Sequence, residues 1–449
     1  MGMQTDKVRG NFFETITTTL ASAGRSSMFG AMFDDEWNLR PREVNEEYFI
    51  DRNPDCFSVL LDLLSTGELY VPPHMPDKLF YREALYYGLI DHVRTARFCE
   101  FDCNRLGLTS SVKGQASGNI CTAIRASPDG GCAVAHNRIV RLYDWMLEEH
   151  PTINLNYQKV NDICWIDLES VVLSACKRYG REGSGIGLFS SSRGDLKHSF
   201  QLNHKNQVKS FTAGALCCNS DGKVFAACSG TGVNGIGVWD QVTGKQTDFF
   251  DKTVYEPLCD ANRIQCLDGN NCFMIFNLTK KTDKKYISLL DLRDKSMVWY
   301  ANATPVDKRG RPLWQCPFDS SMFYHVQDGI AMEGSNSICV VDKYENLGFM
   351  DIRGTDSSIK WNSESRQPKA VEPSYPKLAL HGGQLFSCIN DRISMFCGPD
   401  WFLTSSIGRS CNGGAIRDFS IGGDRLFALH SEENVFDVWE TPVPLNRAA

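Results

Sequence analysis

The chain has 449 residues, enough for two or more domains rather than one core. Its 47 Lys and Arg stand against 54 Asp and Glu, a net charge of −7, which excludes the basic stripe of a general nucleic-acid binder. The charge is uneven: 11 basic and 17 acidic residues lie up to Arg105 and 36 and 37 beyond it, so an acidic front end precedes a nearly neutral body.

The opening "MGMQTDKVRGNFFE" has no apolar core of signal-peptide length, and no run approaches the roughly 18 apolar residues of a membrane span. Gly2 hints at myristoylation, but Asp6 stands where Ser or Thr is needed. A soluble cytoplasmic protein is expected, with the nucleus also open to it and with neither membrane nor nucleic acid as partner. Ser27 to Phe33 reads as a short helix with Met28, Phe29, Met32 and Phe33 inward. A longer helix follows Asn53, a good cap, with Pro54 in the first helical position and Asp55 at the positive dipole end. Its expected inner face is Phe57, Leu60, Leu61 and Leu64, and Gly67 ends it as a left-handed cap. Asp77 to Tyr87 and Leu89 to Phe98 read as two further helices split at Gly88. Residues 1–105 thus form a small α-rich domain with a minor sheet.

The segments "FET" with "TTL" (Phe13–Thr15, Thr18–Leu20), "YFIDRNPDCFSVLLDLLSTGEL" (Tyr48–Leu69) and "EALYYGL" (Glu83–Leu89) resemble the tetramerisation-type BTB/POZ family. That α/β fold is shared by potassium-channel T1 domains and the KCTD proteins. The family opens with a strand running into a glycine pair. Val8 to Thr15 is shorter and has no Gly-Gly, so the resemblance does not carry over the first strand pair, nor an oligomer contact made through it. An ion-channel reading fails, because no membrane span follows. The resemblance implies self-assembly into a homo-oligomer and binding to cullin-3. By position, the cullin surface would comprise Phe33, Asp34 and Asp35 after the first short helices, Pro54 and Asp55 at the capped helix start, and Tyr86 in "EALYYGL". Plainer roles stay open: Phe33 and Tyr86 as core, Asp34 and Asp35 as solvated charges, Pro54 and Asp55 as capping residues.

Beyond Arg105 the chain repeats. "VRLYD", "IGLFS", "IGVWD", "ISLLD", "LGFMD", "ISMFC" and "FDVWE" end at residues 144, 190, 240, 291, 351, 397 and 440. Seven similar strands at that period predict a seven-bladed all-β propeller over 119–441. Upstream turns such as "SPDGG", "NSDGK" and "LHGGQ" read as tight hairpins within each blade. Gly230-x-Gly232-x-x-Gly235 has the spacing of a dinucleotide-binding turn, but it leads into the strand "IGVWD" instead of a helix. It reads as the hairpin between the second and third strands of blade three. Residues 442–449, with two prolines among them, are poor material for a last strand, so Leu106–Lys113, within the connection 106–118, is expected to close the ring.

The 18 cysteines include no C-x-x-C, and most sit inside apolar runs, as small buried hydrophobes do in a reducing compartment. Cys217-Cys218 and Cys99-x-x-x-Cys103 are the exceptions to watch. "VWD" and "VWE" resemble the WD40/YVTN-type propellers, with the Gly-His dipeptide of that family largely missing.

A BTB domain followed by a degenerate propeller resembles a plant BTB/POZ–propeller group. It implies a substrate adaptor of a cullin-3 ubiquitin ligase, BTB holding the cullin and the propeller holding an unknown protein substrate. The alternative is an oligomeric scaffold without ubiquitin transfer. Blade loops "KRYGREG" and "KKTDKK" place Lys177, Arg178, Arg181, Lys280, Lys281, Lys284 and Lys285 on one rim, suited to an acidic or phosphorylated peptide, or simply solvated hairpin tips. No G-x-S-x-G, P-loop or metal-ligand spacing occurs, so neither a catalytic role nor a cofactor is expected.

Overall fold

The computed structural model describes residues 3–24, 27–32, 47–97, 101–114, 121–176, 184–251, 261–267, 269, 271–279, 284–302, 326–332, 334–343, 345–353, 359–362, 376–408, 414–431 and 435–442. Two compact units divide the chain: 1–105 with 441–449, and 106–440.

The first unit opens with a hairpin. Strands β1 (Met3–Val8) and β2 (Asn11–Ile16) pair antiparallel from Met3↔Ile16 to Val8↔Asn11. The first strand pair is therefore present, although its family signature is absent. Arg9 and Gly10 turn the chain at φ 46 and 97, the double left-handed conformation of a two-residue turn. Strand β3 (Glu47–Ile50) lies parallel to β1 on its other side. Helices α1 (Thr17–Ala21), α2 (Met28–Met32), α3 (Pro54–Thr66), α4 (Asp77–Tyr86) and α5 (Ile90–Arg97) complete the unit.

The caps of α3 are those the sequence announces. Asn53 accepts hydrogen bonds from the amides of Asp55 (3.0 Å) and Cys56 (3.2 Å), and Gly67 ends the helix left-handed. The buried face is rotated from expectation. Cys56, Phe57, Val59, Leu60 and Leu63 face inward, whereas Leu61 and Leu64 are half-buried. The reason is that Cys56 serves as an apolar anchor, its Sγ lying 3.6 Å from Met75 Sδ. Phe29, Phe57 and Tyr87 form the aromatic centre of the unit, with Phe29 stacked on Tyr87 at 5.3 Å and Phe57 5.4 Å from Tyr87.

The second unit is a ring of seven four-stranded antiparallel blades. The inner strands are Cys121–Ala126, Lys159–Asp167, Phe211–Cys218, Ala261–Leu267, Val326–Ala331, Lys377–His381 and Ile416–Gly422, for blades 1 to 7. Each segment of the sequence repeat lies in or just beyond the third strand of its blade, the first being Ile139–Tyr143 and the last Val435–Glu440. A short extra hairpin, Leu202–His204 with Gln207–Lys209, stands between blades 2 and 3.

In blade 3, Lys223–Gly230 pairs with Val233–Asp240 through a two-residue turn in which Gly232 has φ +73. Gly235 lies within the third strand, where a Cβ would run into the Phe250 carbonyl and the Phe249 ring. The glycine spacing therefore serves a hairpin and a close strand approach, not a phosphate. Trp239 is fully buried, stacked on Phe211 at 6.1 Å, and donates its indole N–H to the Gln201 carbonyl (2.7 Å).

The ring closes through β4 (Gly107–Lys113), the outer strand of blade 7, paired antiparallel to Val435–Glu440. Ser111 of β4 donates to Asp437 at 2.6 Å, and the other Asp437 carboxylate oxygen lies 2.9 Å from His430 Nε2. Both Asp437 and His430 are buried, so this clasp is inside the sheet contact.

Candidate protein-docking surfaces

In the first unit, Pro54 and Asp55 open α3, with Pro54 half-buried and Asp55 exposed. Tyr86 is the last residue of α4 and is 47 % exposed, while its neighbour Tyr87 is in the core. The residue that joins these two places is Arg52. Its guanidinium lies 3.9 Å from the Tyr86 ring centroid, and its Nε is 3.2 Å from the buried Glu83 carboxylate. The start of α3 and the end of α4 therefore share one patch, extended by the exposed side chain of Leu85. Phe33, Asp34 and Asp35 lie outside the described residues. On β2, the edge strand of its sheet, Phe12 and Ile16 are exposed while Phe13 packs on Phe57 at 4.9 Å.

In the second unit, Lys177, Arg178, Arg181, Lys280 and Lys281 also lie outside the described residues. Lys284 and Lys285 belong to the third strand of blade 4, not to the loop before it. They pair with Thr279 and Leu278, because the ladder of the blade continues past the point where the polar run suggests a loop.

The inner strands surround a channel of about 940 Å³. Every inner strand except that of blade 6 carries a bulge near its start. The residue after the bulge is Ala123, Asp162, Arg263, Asp328 and Asp418 in blades 1, 2, 4, 5 and 7, and Ala215 and Lys377 take the equivalent places in blades 3 and 6. The three aspartates do the same thing. Each accepts the amide of its own next residue through one oxygen: Ile163 (2.9 Å), Gly329 (2.9 Å) and Phe419 (3.0 Å). Each accepts an amide of the next blade through the other: Leu216 (3.1 Å), Leu378 (2.8 Å) and Ile124 (3.1 Å).

The cations complete the ring. Arg125 bridges Asp162 (2.6 Å) and Asp418 (2.8 Å), Lys377 reaches Asp418 (2.6 Å), and Arg263 reaches Asp328 (2.8 Å). Burial alone would raise the Asp418 carboxyl, but Lys377 and Arg125 outweigh it and hold the group at about 2. Arg125 is correspondingly held above its ordinary value: burial lowers it, and Asp162 and Asp418 more than reverse the effect. Three acids and three bases neutralise one another, so the wall of the channel is a set of inter-blade clamps. Sequence reasoning missed all six, as it missed Arg52. The signal present was the recurrence of "VND", "VQD" and "IRD" at the inner strands.

Among the described residues no group of His, Cys, Asp and Glu could hold a metal ion, and no helix is long and apolar enough to cross a membrane.

Comparison with known proteins matches residues 7–96 to the BTB/POZ domain and residues 114–441 to the "At2g24240-like, C-terminal beta propeller" family. Two Arabidopsis thaliana proteins align over nearly the whole of both chains. BTB/POZ domain-containing protein At2g24240 is 58 % identical, covering 98 % of this chain and 99 % of its own. BTB/POZ domain-containing protein At4g30940 is 55 % identical, covering 99 % of each. A third, BTB/POZ domain-containing protein At5g41330, is 22 % identical over 97 % of this chain and 95 % of its own. With an N-terminal BTB fold, a C-terminal seven-bladed ring and these matches spanning both, the chain belongs to the At2g24240-like family of BTB/POZ domain-containing propeller proteins.

Proposed function

We propose that the chain is a non-catalytic substrate adaptor of a cullin-3 ubiquitin ligase, acting in the cytoplasm or the nucleus. The BTB unit takes cullin-3 and the propeller takes the protein to be modified. The observation that carries the reading is the patch at the start of α3 and the end of α4. There Arg52, which leads into Pro54 and Asp55 at the start of α3, packs on the exposed Tyr86 at the end of α4. An exposed aromatic braced by an arginine is the kind of anchor that protein interfaces use. The propeller supplies a hydrogen-bonded frame on whose loops a partner can be held.

Calorimetric titration of the full chain with the N-terminal part of cullin-3 tests this. Micromolar or tighter binding is expected, weakened at least tenfold by Tyr86→Ala with unfolding temperature unchanged. A folded chain that does not bind overturns the adaptor role. A second reading, an oligomeric scaffold, is favoured by the exposed Phe12 and Ile16 on the edge strand β2. Light scattering on the same sample separates the two: an oligomer that ignores cullin-3 is a scaffold. For the substrate face, reversing the charge of Lys280, Lys281, Lys284 and Lys285 is expected to abolish capture of an acidic peptide. Unchanged partner binding by that variant removes the basic rim from the proposal.

A further inference from the structure

The sequence singles out Cys217-Cys218 as a neighbouring pair, but a strand sends successive side chains to opposite faces. Each cysteine instead meets a cysteine of a different blade. Cys218 Sγ is 3.2 Å from Cys164 Sγ in blade 2, and Cys217 Sγ is 2.8 Å from Cys266 Sγ in blade 4.

The two contacts obey one rule of the ring. Relative to the residue after the inner-strand bulge, the side chain two places on faces the residue three places on in the next blade. Gln265 takes and gives hydrogen bonds there with the Ala331 backbone (2.9 and 3.1 Å), and Ser420 accepts the Ala126 amide (2.9 Å). Cys217 accepts the Cys266 amide in the same way (3.1 Å). A hydroxyl or an amide therefore suffices for the seam. Only the seams between blades 2 and 3 and between blades 3 and 4, among those described, place a second sulfur opposite the first.

We propose that these seams are an oxidation site, at which peroxide converts four thiols into two inter-blade disulfides, Cys164–Cys218 and Cys217–Cys266, that lock blades 2, 3 and 4 together. In each seam hydrogen peroxide oxidises one thiol to a sulfenic acid and releases water. The partner sulfur then displaces the hydroxyl as a second water while the S–S bond forms. Two electrons leave each pair and the O–O bond of one peroxide is consumed. A dithiol reductant reverses the step by exchange.

Cys164, Cys218 and Cys266 are half-buried and Cys217 is buried, so each seam has at least one half-buried cysteine. The partner thiol first and burial second push Cys217 and Cys218 well above the ordinary thiol range. The pairs therefore rest protonated and react faster as pH rises. The loops closed span 54 and 49 residues, long enough for each link to constrain the unfolded chain strongly.

The test is graded peroxide treatment of the reduced, full-length protein, followed by mass spectrometry of a non-reduced digest and thermal unfolding. Peptides joining 164 to 218 and 217 to 266 are expected, with an unfolding temperature raised by about 5 °C or more and restored by dithiothreitol. Cys218→Ser, or Cys164→Ser on the opposite side of the same seam, should abolish the first link and spare the second. A 217–218 disulfide, sulfinic acids without cross-links, or cross-links that leave the unfolding temperature unchanged would each overturn the proposal.

Discussion

Asp418 is 2 % exposed and remains ionised, because four groups from three blades converge on it. Asp418→Ala would leave Lys377 and part of Arg125 without a counter-charge and the Ile124 amide without an acceptor. A loss of about 3–5 kcal/mol in denaturant unfolding is expected. Its carboxyl sits at about 2 when folded against an ordinary 3.8. That stabilisation is therefore complete above pH ~4 and disappears as the pH falls towards 2, and Asp418→Asn should remove this acid limb. His136 gives a separate limb. Burial, with Arg141 second, lowers it from 6.5 to about 4, so the neutral ring is the folded form. Stability is full above pH ~6.5 and declines towards 4, where the unfolded chain binds the extra proton. His136→Gln should flatten the unfolding free energy across that interval. None of these residues was marked out by the sequence. The inner-strand aspartates stand at unequal distances from the repeated third strands, because hairpin and loop lengths differ between blades, and that blurs their register.

Elements were far more legible than residues. The ends of α3 are written in Asn53-Pro54 and Gly67, since capping is a local hydrogen-bond problem solved by local residue types. The seven third strands were visible because all share one alternation. The β1–β2 hairpin was concealed because comparison with a family pattern looks for a glycine pair, whereas Arg9-Gly10 makes the turn with one glycine. Which side of α3 faces inward was missed by one position, since a cysteine acting as an apolar anchor does not stand out in a periodicity of leucines. At this scale β4 is the element to remove. A chain beginning at residue 119 leaves Val435–Glu440 with a bare edge and separates Asp437 from Ser111. It should unfold at lower temperature or aggregate, and a synthetic 106–113 peptide should restore the transition in a concentration-dependent way. A normal transition without the peptide would show that β4 contributes nothing to closure. In blade 3, Gly235→Val drives a side chain into the Phe250 carbonyl, and a loss of about 1–3 kcal/mol is expected by the same unfolding measurement.

For the whole molecule, the architecture was read from the repeat and from a family resemblance, whereas the candidate docking surfaces depend on contacts that no motif marks. Tyr86 proved exposed, but the arginine that braces it carries no motif, because the contact joins residues more than thirty apart in the chain. The ring itself has a temporal consequence. The strand that closes it is the first of its strands to be made, and Ser111 must await Asp437, 326 residues later. At typical translation speeds of ~5–20 residues per second, that wait lasts roughly 15–65 s. For all of it the nascent chain carries a strand with no partner, followed by a growing stack of blades open at both ends. Chains stalled on the ribosome before Val435 should be cut by protease within 107–113, and chains stalled on a spacer after Ala449 should resist.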